Sequence, residues 1–172
     1  MQGILHITLP CVEGVRNQQV QKSQKPKEGE AAMKRPTSLS DLEAFARERI
    51  AAHRYPNDYH FFRPFKCDAC GVVAFEMTIG HHTGSKKGDF KGVIWGECVE
   101  CGSKKRLFSF TGKHRKRLRE EKPVCECGNR SFVVAECERI EGDEGVMGFF
   151  DEGVVVGNCC RCGRNRAFVY TD

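Results

Sequence analysis

Four close pairs of cysteines are the residues of this chain best suited to do chemistry, and the chemistry they suit is metal binding. One or two residues separate the cysteines of each pair, and a glycine follows the second cysteine at once. Two thiolates at this spacing reach the same ion, while the glycine lets the backbone turn at positive φ, so that amide N–H groups point at the sulfurs. The four pairs are Cys67/Cys70, Cys98/Cys101, Cys125/Cys127 and Cys159/Cys162.

Two pairs together supply a tetrahedral site, so the sequence predicts two metal sites. The first takes its ligands from Cys67, Cys70, Cys98 and Cys101, and the second from Cys125, Cys127, Cys159 and Cys162. All-sulfur coordination suits Zn²⁺, and a closed shell of four cysteines has no open position for water or substrate. We therefore expect two zinc ions that serve folding, and no hydrolytic catalysis.

Two further cysteines are weighed against these ligands. Cys160 is an alternative to Cys159, because its spacing from Cys162 mirrors that of Cys125 and Cys127. The sequence repeat favours Cys159, since it aligns with Cys98. Cys137 falls in an apolar, strand-like stretch, where a small buried residue is expected rather than a ligand.

The second half of the chain repeats the first. The stretch Gly92-Val-Ile-Trp-Gly-Glu-Cys98-Val-Glu-Cys101-Gly aligns without a gap on Gly153-Val-Val-Val-Gly-Asn-Cys159-Cys-Arg-Cys162-Gly. Upstream, Cys67-Asp-Ala-Cys70-Gly corresponds to the shorter Cys125-Glu-Cys127-Gly. The order pair, strands, pair, strand resembles the zinc ribbon, over residues 65–111 and 123–171. The resemblance implies a small, metal-stabilised, mainly β protein with two tandem Cys₄ zinc ribbons, and it says little about function.

Five segments follow from this reading. Each repeat is near or below 50 residues, a size at which a hydrophobic core seldom suffices without metal or disulfides. Residues 1–32 turn polar and are expected to be disordered, or to precede a native start at Met33. The other segments are a helix with an aromatic segment (33–64), the first ribbon (65–111), a basic connector (112–122) and the second ribbon (123–172).

One short α-helix is expected before the first ribbon. Ser40 and Glu43 fit a capping box, Leu42 and Ala46 recur at helical spacing, and Pro56 lies beyond the end of the run. We expect this helix to dock on the first ribbon, which is nearest in the chain. The aromatic residues between positions 55 and 66 then either close the small core or form a stacking surface for nucleic-acid bases.

Strands and loops follow from alternation and turn residues. Strands are expected at 72–79, 92–96, 106–110, 132–137, 146–150, 153–156 and 167–170. His81 and His82 fall in a stretch rich in glycine, where we expect exposed loop residues rather than a third metal site.

Charge is distributed unevenly along the chain. The net charge is +5, but residues 104–122 hold nine basic and two acidic residues, whereas residues 134–153 hold seven acidic residues and one arginine. Clustered Lys and Arg bind phosphates through counterion release, without sequence specificity. Two alternatives remain for the basic residues of 104–122: they form only a solvated connector, or they pair with the acidic residues of 134–153. The candidate nucleic-acid contacts are Lys104, Lys105, Arg106, Lys113, Arg115, Lys116, Arg117 and Arg119.

Together these features predict a zinc-binding, non-enzymatic module for nucleic acid, single-stranded more readily than duplex, or for a complex that handles it. One alternative is a rubredoxin-like iron electron carrier, although Asp68 and Val99 stand where rubredoxins usually have proline. Another is a structural subunit that binds protein. No apolar run approaches the roughly 20 residues of a membrane span. No signal peptide and no small-molecule motif is evident either, so a cytoplasmic protein is expected.

Overall fold

A computed structural model of the protein describes residues 38–50, 59–82, 91–110, 118–141 and 149–171. The fold is mainly antiparallel β-sheet with one short helix, as the sequence predicted. In chain order the elements are α1 (Leu39–Arg49), β1 (Tyr59–Pro64), β2 (Ala74–His82), β3 (Gly92–Cys98), β4 (Lys104–Phe110), β5 (Leu118–Glu121), β6 (Ser131–Glu141), β7 (Phe149–Cys159) and β8 (Asn165–Thr171).

Across these ranges, α1 is too short and too polar to span a lipid bilayer.

The strands form two four-stranded halves of one continuous sheet. The first half has the order β5-β2-β3-β4 and the second half the order β1-β6-β7-β8. A short antiparallel pairing of β2 with β6 joins them, with the register Ala74 to Val133, Phe75 to Phe132 and Glu76 to Ser131. The two sequence repeats therefore share a sheet.

A local two-fold axis relates the halves. Phe75 is the fourth residue after Gly71, and Phe132 is the fourth after Gly128, so the two are equivalent in the repeat. They lie directly opposite each other at the centre of the β2–β6 pairing. Each also pairs with the equivalent cysteine on its other side, Phe75 with Cys98 and Phe132 with Cys159.

The repeats exchange their leading strands about this axis. Strand β1 leads into the first group of four cysteines, yet it pairs with β6 of the second half. Strand β5 leads into the second group of four cysteines, yet it pairs with β2 of the first half. Neither β1 nor β5 was expected from the sequence, because their partners are non-local strands. The exchange interlocks the two repeats.

One hydrophobic core receives side chains from both halves. Phe75, Ile94 and Leu107 of the first half join Phe132 and Val155 of the second, together with four of the paired cysteines. The rings of Phe132 and Phe168 meet edge to face, with centroids 5.3 Å apart. Two equivalent glycines make room for this packing. A Cβ on Gly96 would lie 2.7 Å from Leu107 Cδ1, and one on Gly157 would lie 2.5 Å from Phe168 Cε2.

Helix α1 begins and docks differently from the expectation. The capping residue is Ser38, which forms a capping box with Asp41; Glu43 instead forms an ion pair with Arg47. The helix packs on the second half, where its buried residues face Ala135, Cys137, Val154 and Val156. The predicted docking on the first repeat is wrong, because β1 follows the helix and pairs with β6. The buried helix residues are Leu42, Ala46 and Ile50.

Three local expectations also change. His81 and His82 are not in a loop: they end strand β2 and are half-buried. The two strands expected at 146–150 and 153–156 are one strand, β7, in the part the structure describes. The aromatic segment divides, because Phe65 enters the main core, Phe62 packs beside α1 and Phe61 stays 48% exposed.

Candidate metal centres

The first centre forms where the turn before β2 meets the turn between β3 and β4. Its four sulfurs lie within 4.8 Å of one another. The closest approaches run between the two pairs, with 3.5 Å from Cys67 Sγ to Cys101 Sγ and 3.5 Å from Cys70 Sγ to Cys98 Sγ.

The second centre has the same plan in the second half. Cys125 Sγ lies 3.5 Å from Cys162 Sγ, and Cys127 Sγ lies 3.6 Å from Cys159 Sγ. An additional donor is present here, because the side-chain amide of Asn129 donates to Cys159 Sγ at 3.4 Å. Val72 occupies the equivalent position in the first repeat, where it cannot make this bond.

The sulfur positions fit a tetrahedral ion. A Zn–S bond of about 2.3 Å implies sulfur–sulfur edges of about 3.8 Å in a regular tetrahedron. The observed contacts of 3.5–3.6 Å are close to that edge, and none of these eight residues is in a disulfide. Each group could therefore hold one metal ion.

Four glycine turns hold the sulfurs in place. Gly71, Gly102, Gly128 and Gly163 have φ values of 76, 68, 82 and 69°, and in the described ranges only glycines have positive φ. Each glycine amide donates to the carbonyl oxygen of the first cysteine of its pair at 2.8–2.9 Å. A side chain would strain this left-handed backbone, so the cysteine spacing and the glycine act together.

The protein polarises each group of thiols unequally. Amide N–H groups of Cys70 and Ala69 donate to Cys67 and lower its pKa to about 6. For Cys159, burial opposes ionisation, but amides of Cys162 and Arg161 and the Asn129 side chain outweigh it and lower the pKa to about 6.

The partner thiols resist a second ionisation. At Cys162, burial and then the neighbouring cysteines raise the pKa to about 12. At Cys70, a hydrogen bond from the backbone amide of Val72 favours the thiolate. Burial and the adjacent sulfurs outweigh it and raise the pKa of Cys70 to about 12. Four thiolates can therefore coexist in such a group only around a cation.

A second layer of basic side chains braces both centres in the same way. Lys105 Nζ donates to the carbonyl oxygen of Lys66 at 2.9 Å and to Asp68 Oδ1 at 2.6 Å. The equivalent Arg166 donates to the carbonyl oxygen of Val124 at 3.2 Å. Lys105, predicted to contact nucleic acid, is thus engaged in holding the first turn.

Cys160 and Cys137 lie outside both groups of sulfurs. The backbone amide of Cys160 donates to the carbonyl oxygen of Ser131 at 3.0 Å, and the equivalent amide of Val99 donates to the carbonyl oxygen of Ala74 at 3.2 Å. The backbone of Cys160 therefore has a structural role that both repeats share. Cys137 is fully buried beneath α1, and burial raises the pKa of its thiol to about 11.

The other predicted nucleic-acid contacts are only partly described. Lys104, Arg106 and Arg119 are exposed, and Lys104 Nζ forms an ion pair with Glu97 at 3.2 Å. Lys113, Arg115, Lys116 and Arg117 lie outside the described residues. In the acidic segment, Glu136 pairs with Arg63 of β1, and Glu152 pairs with the buried Arg139 at 3.2 Å.

Sequence reasoning missed Trp95, the chain's one tryptophan. Its side chain is 47% exposed on β3, beside a cavity of about 170 Å³. The signal was present in the repeat, because Trp95 aligns with Val156 and a lone large aromatic residue replaces a small aliphatic one.

Comparison of the chain with protein-family models, with curated proteins and with solved structures gives no match.

Proposed function

We propose that each cysteine group binds one Zn²⁺ ion and that the two ions serve folding in a non-enzymatic, cytoplasmic binding module of tandem zinc-ribbon type. The observation that carries this proposal is the pair of four-sulfur groups, each held by two glycine turns. Four cysteine ligands leave no coordination position for water or substrate, which favours a structural role. Ligand sets of this kind persist as thiolates in reducing compartments, where disulfides are rare.

Metal analysis of the intact protein tests this proposal. Two zinc ions per chain and a colourless solution are expected. The alternative, a rubredoxin-like iron electron carrier, would give a red protein with a visible absorption band. Chelation of the metal should unfold the chain, because structural zinc contributes apparent free energies of about 10–16 kcal/mol. A metal-free chain that keeps its fold would contradict the proposal.

We further propose that the module binds nucleic acid, preferably single-stranded. Support comes from the charge of residues 104–122 and from the exposure of Arg106 and Arg119 in the described part of that segment. The described acidic residues Glu136 and Glu152 take their basic partners from β1 and β6 instead. Among the described residues, these two acids are thus not paired with residues 104–122, which favours an external polyanion as the partner of the basic segment.

Binding of fluorescein-labelled single-stranded oligonucleotides of mixed sequence, measured by anisotropy at 50–300 mM salt, would test this second proposal. We expect weak sequence preference and an affinity that falls linearly on logarithmic axes, by about 0.7 per phosphate contact. No binding at the lowest salt would refute it, and the structural subunit that binds protein would then be the better reading.

A further inference from the structure

The outer faces of the two halves differ at equivalent positions. In the second half, Ala135, Cys137, Val154 and Val156 form an apolar patch that α1 covers. The repeat aligns these residues with Thr78, Gly80, Val93 and Trp95 of the first half. On the first half, Leu118 of β5 lies over Gly80: a Cβ on Gly80 would lie 3.2 Å from Leu118 Cδ1. Leu118 therefore covers one end of the face. At the other end Trp95 is exposed.

Charged side chains surround Trp95. The cavity beside it is lined by Lys104, Lys122 and Arg130, as well as by Glu76 and Glu97. Arg106 lies directly opposite Trp95 in the β3–β4 register and so shares its face. Lys104 and Glu97 neutralise each other in an ion pair. Basic charge is then in excess around the ring, because the remaining charged side chains are Arg106, Lys122 and Arg130 against Glu76. Within the described part of the chain, Lys122 and Arg130 have no ion-pair partner.

These features decide what kind of ligand the face suits. An amphipathic helix such as α1 needs an apolar patch of several side chains, and here a single large apolar side chain is ringed by charge. The cavity of about 170 Å³ is smaller than the roughly 300–1,000 Å³ of a small-molecule pocket. A flat ring with Lys and Arg side chains around the same cavity matches a nucleobase attached to phosphates, because bases stack on aromatic side chains while Lys and Arg contact the backbone.

We infer that Trp95 is a stacking platform for one base of a single-stranded nucleic acid, with Arg106, Lys122 and Arg130 as its phosphate contacts. The inference rests on the proposed nucleic-acid binding and adds a location to it. That location is the outer face of the first half, supported by β5 and by the turn before β6, rather than the basic connector alone.

The tryptophan supplies its own probe. Because the chain has one tryptophan, a change in its emission on adding the oligonucleotides to the full-length, metal-loaded protein reports this site directly. Trp95→Leu should weaken binding about 5- to 150-fold, the range for loss of one stacked base, whereas Trp95→Phe should retain most of the affinity. Trp95→Leu should leave the salt slope unchanged, while Lys122→Gln and Arg130→Gln should each lower it by about 0.7.

Phe61→Leu is the matched control, because Phe61 is equally exposed at 48% but lies on β1 opposite Glu138. It should bind like wild type, and all variants should keep their metal content and melting temperature. Salt-dependent binding with unchanged Trp95 emission and full affinity in Trp95→Leu would overturn the platform and leave the proposed function standing. Absence of binding by wild type would overturn both. Self-association that buries Trp95 without nucleic acid would mark the face as an interface between copies.

Discussion

Replacing Cys98 by serine is expected to unfold both halves of the molecule. The substitution removes one of four sulfurs from the first centre. In the sheet, Cys98 pairs with Phe75, Phe75 with Phe132, and Phe132 with Cys159 of the second centre. A sequence repeat viewed alone would place the damage in one ribbon. The shared ladder and the exchanged strands extend it to the other.

The magnitude follows from what the metal contributes. An apparent 10–16 kcal/mol per structural zinc, as a rough value from small zinc domains, is comparable to the whole stability of about 5–15 kcal/mol of a typical domain. Phe75 and Phe132 are 0% and 1% exposed in one core, so loss of the first half's packing exposes the second half's packing as well. We expect Cys98→Ser to bind less than one zinc per chain and to lack a cooperative melting transition.

The assay combines zinc analysis with thermal melting followed by far-ultraviolet circular dichroism. Cys160→Ser is the matched control: its sulfur lies outside the cysteine groups, and the bond it makes to Ser131 uses its amide. It should keep two zinc ions and the wild-type melting temperature. If Cys98→Ser keeps one zinc and half of its β-sheet signal melts at the wild-type temperature, the halves fold independently and the reasoning is wrong.

Three further predictions address packing, pH and charge. Gly157→Ala places a Cβ 2.5 Å from Phe168 Cε2 and should destabilise the protein by about 1–3 kcal/mol in urea denaturation; an unchanged midpoint would contradict the packing. Burial raises the pKa of Glu136 against the charge of Arg63, so its contribution to stability is present at acidic pH and is lost as pH rises through the raised value. Glu136→Gln should remove that decline from the stability–pH profile, and an unaltered profile would refute it. Changing five connector residues to glutamine should flatten the salt slope of binding by about 0.7 per lost contact and leave zinc content intact; an unchanged slope would exclude the connector. The five are Lys113, Arg115, Lys116, Arg117 and Arg119.

The cysteine groups were predictable because their determinants are local. Each turn depends on two cysteines and one glycine within five residues, and the positive φ of Gly71 and its three equivalents is what that spacing demands. Grouping two turns into one site then needs only a hairpin. The helix cap shows the limit of local signals. Ser38 with Asp41 and Ser40 with Glu43 fit the same motif, and the structure uses the first, so that Glu43 pairs with Arg47.

The strand exchange and the position of α1 were not predictable in this way. Strands β1 and β5 pair with partners about 75 and 40 residues away in the chain, positions that no periodicity in either segment specifies. The helix precedes β1 in the chain and packs on the same half with which β1 pairs. Because the pairing of β1 with β6 was not expected, the helix was assigned to the wrong repeat. Trp95 is an intermediate case: its alignment with Val156 marked it as unusual, but its exposure depends on where the helix packs.

The two halves have kept in common what the metal and the core require, and they differ on the outer face. The paired cysteines, the turn glycines, Phe75 with Phe132 and Gly96 with Gly157 occupy equivalent places about the two-fold axis. On the outer face, Val156 lies beneath α1, while its equivalent Trp95 remains exposed among basic residues. Had the first half needed only stability, a small apolar residue under a second covering element would have sufficed. The large exposed ring does not improve the buried core, and this is the physical reason to look for the protein's ligand there.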